Sequence, residues 1–249
     1  MLRQIKLRLK TENDEKPSVY WGYLLYSILM QKVNAEFAEY MHEQNLKPIN
    51  QFIIRQNSNS AIWKINTLDK ISSDAVINVL EDCNELYSEK IGTRLILSDK
   101  DISEPISSID FCNRFFSGPK PKNNVEINFK TSCSFKSEEN YCIFPSSELI
   151  IKSLVNKWNA FSDDLTLNDE DALKQLIQHT RISKYELRSS AYHLKGTLIP
   201  SFFGKVTLSA NGPEPLLRLF NLVAAFSEFS GIGIKTALGM GGCEVRWEY

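Results

Sequence analysis

Twice along the 249 residues the apolar pattern changes in the same order: strand, helix, strand, strand, helix, strand. "QIKLRLK" (4–10) alternates as a half-buried strand, because successive side chains of a strand point to opposite faces. Residues 19–32 carry Trp21, Leu24, Leu25, Ile28 and Leu29 at helical spacing. Residues 34–43 set Phe37, Ala38 and Met41 on one face, behind Asn34 as N-cap. Pro48 then favours extended chain at Lys47. "FIIRQ" and "AIWKI" flank "NSNS" as a hairpin; 74–88 read as helix capped by Ser72 or Ser73, and "RLILS" as a fourth strand.

After "NRFFSGPKPKNN" (113–124), whose Gly118, Pro119 and Pro121 read as a linker, the order recurs. "VEINFKTSCSF" is a strand, 147–161 a helix and 169–178 a shorter one. "RISKYELRSSAYHL" and "GKVTLSA" are strands, an amphipathic helix starts near Pro213, and "CEVRWEY" is the last strand. The expected fold is α+β: two tandem ferredoxin-like (β-α-β-β-α-β) domains, 1–115 and 125–249.

The net charge is −1, so no bulk excess of positive charge marks a nucleic-acid binder; any polyanion site is a local patch. One such patch runs from Lys174 to Lys205 through Arg181, Lys184, Arg188 and Lys195, opposed only by Glu186. The acids just before it, Asp163, Asp164, Asp169, Glu170 and Asp171, read as a solvated loop. Five scattered cysteines form no CxxC and lack a histidine at zinc spacing, which fits free thiols in a reducing, cytoplasmic setting. No two histidines share metal-ligand spacing, so neither metal nor cofactor is expected. The N-terminus reads as a strand rather than a signal peptide, and "YWGYLLYSILM" is too short to cross a bilayer.

"GIGIKTALGMGG" (231–242) holds five glycines, a lysine and a threonine. In nucleotide-binding loops the glycines follow a strand and open a helix, whose N-terminus holds the phosphate. This loop follows a helix and precedes a strand, and it matches neither GxGxxG nor GxxxxGK[ST]. Gly231 suits a helix C-cap and the others turns. Five glycines exceed what two turns need, and close approach of backbone to a ligand is the other use of glycine.

Tandem units ending in helix, "GIGIKTALGMGG" and strand resemble the RAMP superfamily, and more narrowly the CRISPR repeat-RNA processing endoribonucleases. "LRSSAYHLKGTLIPSFFGKVTL" and "FSEFSGIGIKTALGMG" look especially like type III-associated members. The resemblance implies a metal-independent endoribonuclease that cuts CRISPR precursor RNA within repeats. Its products would carry a 2′,3′-cyclic phosphate (or 3′-phosphate) and a 5′-hydroxyl. It implies repeat RNA as partner and a passing association with a type III effector complex, with monomer or homodimer open. A histidine near the end of the first helical segment is commonly catalytic there, joined in some members by a tyrosine in the first helix and a lysine soon after. "LLYSIL…FAEYMHEQNLKP" supplies Tyr26, His42 and Lys47; the tyrosine and lysine are not uniform across the family.

The residues allow that chemistry. Attack by an RNA 2′-hydroxyl needs one proton taken, another given and phosphoryl charge stabilised, and a histidine titrates in the right range. His42 lies about 100° around its helix from Met41 and can face a cleft edge. A solvated cap is its plainer reading. Tyr26 flanks the Leu25/Leu29 face, and Lys47 stands on an extended segment. Arg181, Lys184, Arg188, Lys195 and Lys205 suit a phosphate backbone. Gly231, Gly233, Gly239 and Gly241 are expected against RNA, with Lys235 and Thr236 toward phosphates. Tyr185 and Tyr192 suit base stacking or the core; His179 and His193 suit structural or RNA-contacting roles. The aromatic motif of RRM sheets is absent. A non-catalytic RNA-binding subunit of a CRISPR effector complex, or an interaction module without RNA, remain rival readings.

Overall fold

Residues 1–13, 15–57, 59–162 and 165–247 are described by the computed structural model, which carries two antiparallel sheets. The first holds β1 (Arg3–Thr11), β2 (Ile49–Arg55), β3 (Ser60–Thr67), β4 (Glu85–Ser88) and β5 (Thr93–Ile102), in the order β2-β3-β1-β5-β4. The second holds β6 (Asn124–Cys133), β9 (Thr180–Leu194), β10 (Thr197–Ala210) and β11 (Cys243–Trp247), in the order β11-β6-β10-β9. A small hairpin, β7 (Phe135–Ser137) and β8 (Asn140–Cys142), follows β6. With β4 set aside as an added edge, both sheets have the ferredoxin-like order: fourth, first, third, second.

Alternation places the cores. Ile5, Leu7 and Leu9 of β1 are fully buried, while Lys6 and Arg8 turn outward to Asp101 and Asp99 at 3.2 and 2.5 Å. Helices α1 (Gly22–Lys32), α2 (Ala35–Glu43) and α3 (Lys70–Leu80) supply Leu25, Leu29, Phe37, Met41 and Val76 to this core, around Trp63. Asn34 caps α2 by accepting from the Phe37 N–H at 2.8 Å. In the second unit α5 (Ser147–Phe161), α6 (Glu170–Gln178) and α7 (Glu214–Ser230) cover Val125, Ile127 and Phe129.

Three expectations are corrected. Helix α3 starts at Lys70 because Asp69, not Ser72 or Ser73, is the cap, accepting from the Ser72 N–H at 2.7 Å. It stops at Leu80, and Glu85–Ser88 pair as β4, with Leu86 and Ser88 inward. The first residues of the supposed linker, 113–116, are the end of a helix, α4 (Ser108–Phe116), capped by Ser107. Phe111 packs 5.6 Å from Phe229 and 6.1 Å from Trp158, so α4 joins the second core. Strand β10 starts at Thr197 rather than 204, since Lys195 (φ 48°) and Gly196 (φ 79°) form the two-residue turn that suits twisted strands. Ser58 of the first hairpin, Asp163 and Asp164 of the acidic loop, and Glu248 and Tyr249 of the last strand lie outside the described residues. No described helix is long and apolar enough to cross a membrane.

Candidate active site

The glycine stretch forms the seam between the two units. It leaves α7 at Gly231 and returns along β6: the Gly241 N–H donates to the Ser132 carbonyl and the Ile234 N–H to that of Ser134, at 2.9 and 3.0 Å. Between them a short 3-10 turn, Thr236–Leu238, pushes into the first unit. Gln51 of β2 meets it there, fully buried. Its amide donates to the carbonyls of Ala237 (2.8 Å) and Gly22 (2.6 Å), and its oxygen accepts from the Trp63 indole at 2.8 Å. One side chain thus ties the loop tip, the start of α1 and the first core. The Tyr192 hydroxyl donates to the Leu238 carbonyl at 2.5 Å, and burial pushes its phenol up to about 12.

This contact explains the glycines. At Gly239 φ is +99°, and a Cβ would sit 2.8 Å from the Gly22 Cα and the Tyr192 hydroxyl. At Gly242 a Cβ would fall into the Phe52 ring. Here backbone approaches protein. Of the residues expected against RNA, Gly231, Gly239 and Gly241 are buried and Thr236 is 6 % exposed. Lys235 is exposed and Gly233 half-buried.

A cavity of about 330 Å³ opens where the loop faces the first unit, lined by Tyr26, Leu46, Lys47, Lys157 and the loop from Gly233 to Leu238. Tyr26 reaches it from α1; burial raises its pKa and keeps the phenol neutral. Lys47 donates to the Met41 carbonyl and, at 2.5 Å, to that of Gln44, satisfying the carbonyls that the end of α2 leaves open. An ammonium has three donors, so one remains for the cavity. Burial lowers the Lys47 pKa. His42 lies in the last turn of α2, exposed and outside the lining, three residues before Asn45 begins the cavity wall. Among the described residues it makes no hydrogen bond or ion pair.

Lys157 escaped the sequence reading. From α5 its ammonium donates to the carbonyls of Ser230 (3.2 Å) and Gly231 (3.0 Å) and lies 3.5 Å from the Thr236 hydroxyl. It is 4 % exposed, and burial pulls its pKa down to about 8. The signal existed: Ile150, Leu154, Lys157 and Phe161 share one stripe of α5, and a lysine on an apolar stripe needs a partner. A second cavity, about 540 Å³, shares Leu46, Lys157, Gly233 and Ile234 and continues the groove toward Lys136 and Lys152.

The remaining expected cations separate. Arg181, Lys184, Arg188 and Lys205 share the outer face of the second sheet, opposite Val206 and Leu208, and Lys205 pairs with Glu126 at 3.5 Å. Lys195 stands apart, in the hairpin turn beside α1. Tyr192 belongs to a small core cluster; Tyr185 is exposed, its ring centroid 5.6 Å from that of Phe144 in a T-shaped contact. His179 ends α6, with Nδ1 3.2 Å from the Asn211 side-chain oxygen, and His193 is exposed. Among the described residues no group of three or more His, Cys, Asp and Glu could hold a metal.

A family model described as CRISPR-associated endoribonuclease Cas6 matches residues 127–243. A CRISPR-associated endoribonuclease Cas6 of Streptococcus thermophilus is 29% identical over 241 residues, which is 97% of this chain and 98% of that one. Another, of Mycobacterium tuberculosis, is 25% identical over 229 residues, 90% of this chain and 71% of the relative. A solved Cas6 product complex superposes with a TM-score of 0.78 at 22% identity, over 99% of each chain. At that identity the structural likeness carries the fold.

Proposed function

We propose that the chain, which belongs to the family of CRISPR-associated endoribonucleases Cas6, cuts CRISPR precursor RNA within its repeats by attack of the RNA's own 2′-hydroxyl. One observation supports this most. The fold brings Tyr26 and Lys47 against the glycine loop in a single cavity, with His42 on the helix end that Lys47 closes.

In this reading the 2′-oxygen loses its proton as its bond to phosphorus forms. The bond from phosphorus to the 5′-oxygen breaks, and that oxygen takes a proton. The products are a 2′,3′-cyclic phosphate and a 5′-hydroxyl, and the step balances without water or metal. His42 serves as general acid/base. Tyr26, neutral, donates to the attacking oxygen and orients it. The free donor of Lys47 meets the developing charge on a non-bridging phosphoryl oxygen. Lys235 and Gly233 at the loop, and Arg181, Lys184, Arg188, Lys195 and Lys205 beyond it, hold the flanking strand. A passing association with a type III effector complex would hand on the product.

The deciding assay is cleavage of repeat RNA in EDTA by wild type and His42→Ala. Loss of one acid/base group costs about 10²–10⁴ in rate. Undiminished cutting by the variant removes His42 from the mechanism. Equal cutting of RNA with a 2′-deoxy scissile nucleotide rejects 2′-hydroxyl attack.

A further inference from the structure

A separate cavity of about 250 Å³ opens beside the start of α1, and it shares no lining residue with the cavity of Tyr26 and Lys47. It forms where the tip of the β9–β10 hairpin meets the first unit, between Tyr20, Tyr23, Lys90, His193 and Lys195. The two cavities are joined through Tyr192. Its hydroxyl bonds the Leu238 carbonyl in the wall of the first, and its ring lies 6.0 Å from Tyr20 in the wall of the second.

We propose that this cavity is a nucleotide subsite for the RNA strand flanking the cut, with a base on the Tyr20 ring and a phosphate on Lys195 and Lys90. The proposal rests on the RNA-cutting reading above and adds a place where the substrate is gripped away from the reacting atoms.

The chemistry of the walls is that of a nucleotide site. A contact that merely docked the hairpin would bury its aromatic rings, yet Tyr20 is 47 % exposed. Its neighbours touch it obliquely: Tyr192 at 47° and His193 edge-on at 87°, with the latter 6.5 Å away. That leaves ring surface for a base, and a base stacks on an aromatic ring whatever its identity. Lys195 is fixed at the turn by positive φ, and its ammonium rests 5.0 Å from the centroid of the Tyr23 ring. A cation over a ring at an exposed site is held weakly, so an arriving phosphate can draw it away. Lys90 adds a second cation, and Glu15 is the acid in the lining. His193 offers a donor and an acceptor for a base edge. Beyond Tyr23 and Lys90 the surface continues as a groove along α1 to Tyr87, itself 59 % exposed, so a strand can run on from the subsite.

The test is the Kd of repeat RNA made uncleavable by a 2′-deoxy scissile nucleotide, for wild type, Tyr20→Ala, Tyr20→Trp and Lys195→Ala. Loss of a stacking platform should weaken binding about tenfold in Tyr20→Ala, and Tyr20→Trp should restore it to within about twofold. Lys195→Ala should lower the slope of log Kd against log salt by about 0.7, the value for one contact to a single strand. The Tyr20→Ala loss should vanish on one of two RNAs trimmed close to the cut, the one lacking the flank that reaches the subsite. Unchanged binding by Tyr20→Ala, or a loss that persists on both trimmed RNAs, overturns the subsite. The ring-preserving Tyr20→Trp guards against a folding defect, because a subsite with a ring but no affinity overturns the proposal too. A wild type that binds repeat RNA without cutting it counts against the reaction and leaves the Kd comparison to decide the subsite. A wild type that binds no repeat RNA overturns both.

Discussion

The Lys157 ammonium lies 3.0 Å from the Gly231 carbonyl and 3.2 Å from that of Ser230, so a buried cation closes the last turn of α7 where the glycine loop leaves it. The end of a helix leaves carbonyls unpaired and carries partial negative charge, which water ordinarily satisfies. Here Lys157, itself 4 % exposed, takes the place of water. The same side chain reaches the Thr236 hydroxyl, so it holds both ends of the loop's entry.

This placement sets a pH dependence. Burial lowers the Lys157 pKa from 10.5 to about 8 in the folded chain. Between those values the unfolded chain binds the proton and the folded chain releases it, so the contribution of this group to stability rises with pH. Below about 8 both states are protonated and the slope disappears. A shift of this size corresponds to roughly 3 kcal/mol across the window. Urea unfolding of wild type and Lys157→Met at about pH 7 and about pH 10 isolates it, because other lysines cancel in the difference. The wild type should gain on the variant by roughly 1–3 kcal/mol at the higher pH. A difference that does not change with pH would mean the ammonium is not buried as described.

Gly22→Ala should destabilise the protein although it improves the helix. Alanine is favoured over glycine inside a helix by about 1 kcal/mol. Here the added Cβ would lie 2.5 Å from the Gly239 Cα and 2.7 Å from the Leu238 carbonyl oxygen, backbone atoms with no side-chain freedom to move aside. Overpacking of this kind costs roughly 1–3 kcal/mol. Gly196→Ala is the contrast: φ is +79° and nothing lies within 4 Å of its Cβ, so only the backbone cost, about 1 kcal/mol, applies. Chemical denaturation measures both. A Gly22→Ala variant more stable than wild type would contradict the tight seam.

Tyr26→Phe separates positioning from proton transfer. Burial raises the phenol's pKa, so it stays neutral through the working range and acts as a hydrogen-bond donor. Removing the hydroxyl alone should slow single-turnover cutting about tenfold, the order of one hydrogen bond. The limbs of the pH–rate profile should remain where they are, since a phenol that stays neutral through the working range adds no titration there. A limb that moves in Tyr26→Phe would instead make the tyrosine one of the titrating groups.

The two sheets were legible because alternation survives wherever one face is buried, as at Ile5, Leu7 and Leu9 of β1. The short pieces were not. Glu85–Ser88 is too brief to show a period, and Gly118 and Pro119 drew attention from Phe111, whose partners Trp158 and Phe229 lie far along the chain. The glycine loop is visible in the sequence, but the protein surface that its backbone approaches is not. A sequence records that backbone must come close to something without recording whether that is ligand or protein, and at Gly239 it is Gly22. Lys157 was readable as a lysine on an apolar stripe. Gln51 was not, because its partners come from residues 22, 63 and 237.

Gln51 gives the sharpest test of how the seam holds the loop. Gln51→Leu has similar bulk but can neither donate nor accept. It leaves the Trp63 N–H and the carbonyls of Gly22 and Ala237 without their partner in a buried place. An orphaned buried group costs about 1–3 kcal/mol, so the variant should lose roughly 3 kcal/mol or more in urea unfolding. The loss should also be local. The Gly239 N–H, which donates to the Thr236 carbonyl within the short turn, should exchange faster with solvent in the variant than amides of the first sheet do. Because the loop forms one wall of the Tyr26 and Lys47 cavity, KM for repeat RNA should rise as well. A loss below about 0.5 kcal/mol would show that water enters the seam and replaces the glutamine, and that the loop is held elsewhere.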